Sequence, residues 1–149
     1  MKKIHLLLST VFILFTHSLL AQDQKSYDVV IYGGTSAGIS AAIQCSRMGK
    51  TVLLIEPTNR IGGLTTGGLG QTDIGRKHVI GGIAREFYQN ISKYYEDPQH
   101  WKWQDREEYM NSRHSRTKKG EDAMWTFEPS AALKVYEKMM DPENIVLVY

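Results

Sequence analysis

The chain has 149 residues, a length common for one domain, and its 42% apolar and 23% charged residues are typical of a globular protein, not of a disordered or fibrous one. The formal net charge of +2 equals the contribution of Lys2 and Lys3, so the rest of the chain is electrically balanced. A nucleic-acid partner is therefore not expected, because such a protein usually has a basic face.

The first 21 residues have the organisation of a signal peptide. A positively charged start precedes an apolar stretch over residues 4–15, and Ala21 places a small residue before a cleavage site at Gln22. An uncleaved membrane anchor is the alternative, but the apolar segment is short for a span and contains His5 and His17. We predict a signal peptide over residues 1–21, export to the periplasm or the extracellular space, and no stable membrane span after cleavage.

The body of the protein begins with a pattern of strand, glycine turn, helix and strand. Residues 28–32 are mostly β-branched and apolar, which predicts a strand buried on both faces of a parallel sheet. After the turn, apolar residues recur at helical spacing over residues 39–48, and Gly49 ends that helix. The single cysteine, Cys45, is expected to pack on its buried side. Residues 51–55 form the second strand, with Glu56 at its carboxyl end.

A strand that enters a helix through a glycine turn directs free amide groups and the positive end of the helix dipole at one point, which suits a diphosphate. Gly33 permits the tight turn, and Gly38 permits close packing of the helix on the strand. Glu56 follows Gly33 by 23 residues, where an acid can accept hydrogen bonds from both ribose hydroxyls of an adenosine. A structural turn in an unrelated α/β protein is the alternative.

One position departs from the usual GxGxxG pattern of such turns. Thr35 occupies the place of the second glycine. Gly34, one residue earlier, is expected to keep the backbone accessible there instead.

A second glycine-rich segment, residues 60–70, follows Glu56 closely and is not needed by a simple nicotinamide domain. From "DVVIYGGTSAGISAA", the following "EP" and "RIGGLTTGGLG", the sequence resembles FAD-dependent oxidoreductases of the glutathione-reductase-like fold, in particular the HdrA-like group related to heterodisulfide reductase. Looser matching blocks are "IGGIAREFY" and "WTFEPSAALKVYEKMM". The resemblance extends over nearly all of residues 27–149.

The resemblance implies FAD as cofactor and gives roles to ten residues. The residues implied to wrap the FAD diphosphate are Gly33, Gly34, Thr35, Ser36, Ala37 and Gly38, while Glu56 holds the adenosine ribose and Arg60, Gly62 and Gly63 line the cofactor further along. Threonine at position 35 is expected in this group. Some relatives carry a 4Fe-4S cluster, which one cysteine cannot ligate, and complete members are several hundred residues long.

The remaining residues predict further α/β elements. Residues 83–95 form an amphipathic helix with Ile83, Phe87, Ile91 and Tyr94 or Tyr95 on one face, and His78 before it is expected to be a solvated loop residue. Residues 97–122 are polar and predict a solvated loop or, with Arg113, His114, Arg116, Lys118 and Lys119, an anion-binding lid. Residues 124–127 form a short strand, and 129–140 a helix with Leu133, Tyr136 and Met140 on one face.

A last strand over residues 145–149 carries the chain end, which indicates a partial product. We therefore expect residues 22–149 to be the N-terminal portion of a doubly wound, Rossmann-like FAD-binding domain with a parallel sheet, in an exported FAD-dependent oxidoreductase that acts on an unidentified small molecule. The alternatives are an NAD-dependent dehydrogenase and a non-catalytic FAD-binding fragment. The sequence identifies no catalytic residue and no metal site.

Overall fold

The computed structural model describes residues 25–118 and 120–149. The signal peptide predicted over residues 1–21 lies outside this part. Within the described residues, three strands, five α-helices and two 3₁₀ turns follow one another in the order β1 (Val29–Tyr32), α1 (Ser36–Arg47), β2 (Val52–Ile55), α2 (Leu64–Gly67), a 3₁₀ turn (Lys77–Val79), α3 (Gly82–Tyr94), a second 3₁₀ turn (Pro98–His100), α4 (Arg106–Asn111), α5 (Pro129–Met140) and β3 (Ile145–Val148).

The three strands form a parallel sheet in the order β1, β2, β3. Val29 pairs with Val52, and Val52 pairs with Ile145, so the strands begin level with one another. Helix α1 connects β1 to β2, and residues 56–144 connect β2 to β3. This order is that of one mononucleotide-binding half of a doubly wound fold. The predicted α/β, Rossmann-like class with a parallel sheet is confirmed.

The sheet is covered on one face only in the described part of the chain. Val52 and Leu54 of the central strand are fully buried beneath α1, which contributes Ile39, Ala42 and Ile43 to the same core. Side chains on the opposite face remain accessible: Val30 is 57% and Tyr32 75% exposed. The prediction that the first strand is buried on both faces is therefore wrong here, because α1, the described helix that packs most closely on the strands, covers only the face of Val52 and Leu54.

Helices α3 and α5 pack against α1 and form the outer layer of the core. Phe87 of α3 stacks on Tyr136 of α5 with ring centroids 4.4 Å apart, and it meets Phe127 edge to face at 5.5 Å. The predicted helices at 83–95 and 129–140 are confirmed. Leu133 is only half-buried, because the buried face of α5 is centred on its alanines, Val135 and Tyr136.

The strand predicted over residues 124–127 is replaced by a single antiparallel bridge between Gln71 and Thr126. Two backbone hydrogen bonds flank it, from Phe127 N to Gly70 O at 2.9 Å and from Thr72 N to Trp125 O at 3.1 Å. Met124, Trp125 and Phe127 of this segment are buried, but the segment pairs with a loop and not with the main sheet.

The polar segment over residues 97–122 is more structured than a solvated loop. It contains the second 3₁₀ turn and α4, and Ser115 and Thr117 are buried. Arg116 donates from Nη1 to Thr72 O at 2.8 Å, while Arg113 and His114 are exposed. His78 is exposed as predicted, within a 3₁₀ turn. Within the residues described, no helix is long and apolar enough to cross a membrane.

Candidate functional site

The turn between β1 and α1 depends on two glycines for different reasons. Gly33 has φ 103°, a conformation that disfavours residues with a Cβ, and its amide donates to Ile55 O at 2.7 Å. Gly38 approaches the turn so closely that a Cβ on it would lie 2.1 Å from Gly33 O. The first glycine thus reverses the chain, and the second lets the helix start directly against the turn.

Thr35, which replaces the usual second glycine, is the N-cap of α1. Its backbone is extended, with φ −68° and ψ 170°, and its Oγ1 accepts a hydrogen bond from Gly38 N at 3.2 Å. A threonine side chain therefore satisfies one of the amide groups that the first turn of a helix leaves without a partner. Because of this cap, α1 begins at Ser36, three residues earlier than the apolar spacing predicted.

Gly34 joins the turn to the acid at the end of β2. Its amide donates to Glu56 Oε2 at 2.7 Å, and a Cβ on it would lie 3.0 Å from both that oxygen and Ile61 Cγ2. Gly34 is buried between these neighbours, so the expectation that it keeps the backbone accessible is wrong. Absence of a side chain at this position instead lets the carboxylate contact the turn directly.

Glu56 is 6% exposed, and protein groups orient both of its oxygens. Thr58 donates to Oε1 from Oγ1 at 2.7 Å and from its backbone nitrogen at 2.8 Å. These two bonds, followed by the bond from the Gly34 amide, hold the pKa of Glu56 below its ordinary value against the opposing effect of burial. The carboxylate is ionised at neutral pH, and Oε2, which accepts from Gly34 N, retains acceptor capacity for a further hydroxyl.

The second glycine segment folds back onto the first. Gly62 N donates to Gly34 O at 2.6 Å, and Gly62 forms a parallel bridge with Thr35. Gly62 and Gly63 have φ 97° and 54°, and a Cβ on Gly63 would lie 3.6 Å from the Thr35 side chain. Arg60 is exposed, and its Nε donates to Thr66 O at 3.0 Å. The two glycine segments thus form adjoining walls at the carboxyl edge of the sheet.

A hydroxyl pair that the sequence interpretation missed connects these walls. The Ser36 and Thr65 hydroxyl oxygens are 2.7 Å apart, and Ser36 Oγ also donates to Gly62 O at 3.2 Å. Both hydroxyls lie near the phenol of Tyr136, whose pKa is raised mainly by burial and lowered less by these two groups. Thr58 was missed as well. The available signal was only the presence of hydroxyl residues beside each glycine segment, which is common in turns.

The structure brings all ten predicted site residues into one region. Thr35, Ala37, Arg60 and Gly63 are exposed on it, whereas Gly34, Glu56 and Gly62 are buried and shape it from behind. The first turn of α1 directs amide groups and the positive end of its dipole toward the exposed residues. The arrangement thus combines a helix terminus, which favours an anionic group, with an ionised hydrogen-bond acceptor.

A parallel sheet with a glycine turn, a capped helix and an acid at the end of the second strand defines a Rossmann-like dinucleotide-binding unit. Residues 28–149 match the family model described as FAD dependent oxidoreductase. The chain belongs to this family, and FAD, the cofactor predicted from the sequence, is the cofactor of the family.

Known relatives share shorter segments with the chain. Beta-cyclopiazonate dehydrogenase of Aspergillus oryzae is 44% identical over 57 residues, which are 38% of this chain and 12% of that protein. NADH:fumarate oxidoreductase of Klebsiella pneumoniae is 51% identical over 41 residues, 28% of this chain and 4% of that protein. The chain thus matches only a small fraction of the length of these curated relatives.

Among solved structures, the crystal structure of Thermovibrio ammonificans THI4 overlaps 95% of this chain and 45% of its own, with a TM-score of 0.44 and 12% sequence identity.

Proposed function

We propose that this chain forms the ADP-binding part of an exported FAD-dependent oxidoreductase. The observation that carries the proposal is the 2.7 Å hydrogen bond from Gly34 N to Glu56 Oε2, which fixes the ribose acid against the diphosphate turn. In the proposed complex, the first-turn amides of α1 bind the diphosphate, and the free acceptor position on Glu56 binds a ribose hydroxyl. Gly62 and Gly63 close the second side of the site.

The isoalloxazine of bound FAD would supply the redox chemistry by accepting a hydride or electrons from a small-molecule substrate. The residues of this chain bind and orient the nucleotide end. Thr35 holds the helix terminus in place, and Thr58 keeps the Glu56 carboxylate ionised and oriented. Membership of the HdrA-like group related to heterodisulfide reductase, inferred from the Thr35 turn and the "RIGGLTTGGLG" segment, belongs to the same proposal.

Titration of FAD into the purified chain tests the proposal. We expect flavin fluorescence to change on binding, and NAD not to compete at equal concentration. Gly38→Ala should weaken binding by at least about tenfold, because its Cβ would lie 2.1 Å from Gly33 O and displace the diphosphate turn. Gly75→Ala is the matched control, since a Cβ there meets nothing within 4 Å.

Glu56→Gln separates the ribose contact from the fold. The amide keeps one oxygen acceptor but loses the charge and one acceptor position, so FAD affinity should fall while far-UV circular dichroism stays unchanged.

NAD binding in preference to FAD would favour the dehydrogenase alternative. Binding without turnover in a full-length protein would favour the non-catalytic one, and no flavin binding at all would overturn the proposal. N-terminal sequencing of the mature protein should begin at Gln22; recovery of Met1 would contradict the proposed signal-peptide cleavage.

A further inference from the structure

An aromatic cleft lies between the end of α3, α4 and the residues before α5. Its volume is about 260 Å³, and none of the ten nucleotide-site residues lines it. The residues that matter for its chemistry are Tyr95, Trp101, Trp103, Tyr109, Phe127 and Glu128. Nothing in the proposed FAD-binding function uses these residues.

Three rings form a curved wall of this cleft. The centroid of Trp101 lies 5.2 Å from Tyr95 and 5.5 Å from Tyr109, with interplanar angles of 54° and 53°. The Trp101 indole nitrogen donates to Tyr95 O at 2.8 Å, which fixes the orientation of its ring. At the rim, Trp103 is 87% exposed. The wall is thus preorganised, and one large aromatic ring beside it has little packing role in the fold.

A carboxylate lies at the edge of the same wall. Tyr95 Oη donates to Glu128 Oε2 at 3.2 Å and accepts from Glu128 N at 3.0 Å. Burial raises the pKa of Tyr95, so the phenol stays protonated and can donate. Glu128 is the N-cap residue of α5, yet its side chain makes no capping hydrogen bond. Tyr95 therefore holds the carboxylate toward the cleft and away from the helix terminus.

We propose that this aromatic cleft binds an organic ammonium group. The negative faces of aromatic rings attract a cation within about 6 Å, and quaternary ammonium groups in particular are recognised by several rings acting together. A carboxylate at the edge adds charge complementarity. Within the described residues, Glu128 forms no ion pair that would neutralise it. Lys102 and His100 also line the cleft, but Lys102 is exposed and can extend its ammonium into water.

Choline and its neutral isostere 3,3-dimethylbutan-1-ol are suitable probes, because they differ in charge and hardly in shape. Titration of the full chain with each, followed by tryptophan fluorescence and by calorimetry, should show choline binding and markedly weaker binding of the alcohol. Trp103→Ala and Glu128→Gln should each weaken choline binding by about 2- to 30-fold. Glu137→Gln, at an exposed carboxylate of α5 outside the cleft, should leave it unchanged.

Because glutamine retains an oxygen that can accept from Tyr95, Glu128→Gln should keep the fold, which unchanged circular dichroism and thermal unfolding would verify. Equal affinity for choline and the alcohol would overturn the proposal in favour of a purely apolar site. Preference for glucose over choline would identify a carbohydrate site instead. Absence of any binding would also overturn the proposal of an ammonium site. The affinity of the same variants for FAD should be unchanged. Failure of the ammonium proposal is therefore distinguishable from failure of the proposed FAD-binding function.

Discussion

Thr35 occupies the position of the usual second glycine in the turn, and its hydroxyl group caps the helix that follows. The usual glycine allows close approach of the backbone, whereas Thr35 Oγ1 caps α1 by accepting from Gly38 N at 3.2 Å. The position is exposed, so its side chain meets no steric obstacle from the core. The turn still needs glycine at its other positions: Gly33 has a positive φ, Gly34 leaves room for the Glu56 carboxylate, and Gly38 contacts the Gly33 carbonyl.

Thr35→Val removes the hydroxyl and keeps the side-chain shape. The free energy of unfolding should fall by about 1 kcal/mol, the usual cost of losing an N-cap hydrogen bond. Thermal unfolding should show this as a decrease in Tm of about 2–4 °C. Thr35→Ser retains the cap and serves as the control; equal destabilisation by both substitutions would contradict the capping role.

Because the pKa of Glu56 is lowered in the folded chain, we expect the free energy of unfolding to depend on pH. Its pKa is lowered from the ordinary 4.5 in the folded chain, so the carboxylate stabilises the fold fully above 4.5. This contribution is lost as the pH falls through the lowered pKa, since the unfolded chain takes up its proton first.

Urea unfolding of the wild type and Glu56→Gln should therefore differ most at about pH 7, and the difference should shrink as the pH falls below the ordinary pKa of 4.5. Glu137→Gln tests whether any exposed carboxylate of the chain has the same effect. A difference between the wild type and Glu56→Gln that stays constant over this range would show that the hydrogen bonds from Thr58 and Gly34 do not favour the charged form.

The loop after α2 and the residues before α5 hold each other in place through backbone hydrogen bonds. Phe127 N donates to Gly70 O, and Thr72 N donates to Trp125 O, so these two segments form a short antiparallel ribbon. The ribbon places Phe127 against Phe87 of α3 at 5.5 Å. Local sequence around residues 124–127 predicts a strand, but the choice of a loop as its partner comes from the tertiary fold.

Gly70→Ala should disrupt this ribbon. A Cβ at this position would lie 2.0 Å from Phe127 O, so the two segments would have to separate. We expect a loss of about 1–3 kcal/mol in the free energy of unfolding, the usual range for overpacking. Chemical denaturation followed by tryptophan fluorescence measures it, with Gly75→Ala as the control in open space. Equal stability of the two variants would show that the ribbon can open without cost.

In the described part of the chain, the sheet exposes an apolar face to solvent. Val30, Leu53 and Val146 are in register across the three strands, and Val30 and Val146 are 57% and 41% exposed. Exposed contiguous apolar surface promotes association.

The chain in isolation should therefore associate with increasing concentration in sedimentation velocity experiments. Val30→Thr combined with Val146→Thr should reduce this association, because threonine retains strand propensity and adds a polar group. Val79→Thr alters another exposed valine, in a 3₁₀ turn outside the sheet, and should leave the association unchanged. A monomeric wild type at all concentrations would contradict the prediction.

Elements whose pattern is local could be predicted from the sequence. The strands at β1, β2 and β3, the helices α1, α3 and α5, and the positions of Gly33, Gly38 and Glu56 follow from apolar periodicity, glycine placement and spacing. The family resemblance added Arg60, Gly62 and Gly63. Gly62 and Gly63 lie against the first turn, while the contact of all three residues with a cofactor stays a prediction.

Which distant groups meet depends on tertiary packing and could not be predicted. Packing determines three such pairs: Ser36 with Thr65, Gly70 with Phe127, and Tyr95 with Glu128. Hydroxyl and carboxyl groups are compatible with many partners, so sequence spacing does not select among them. The exposed sheet face has the same origin: an apolar strand is compatible with burial on one face or on both, and the placement of the helices determines which occurs.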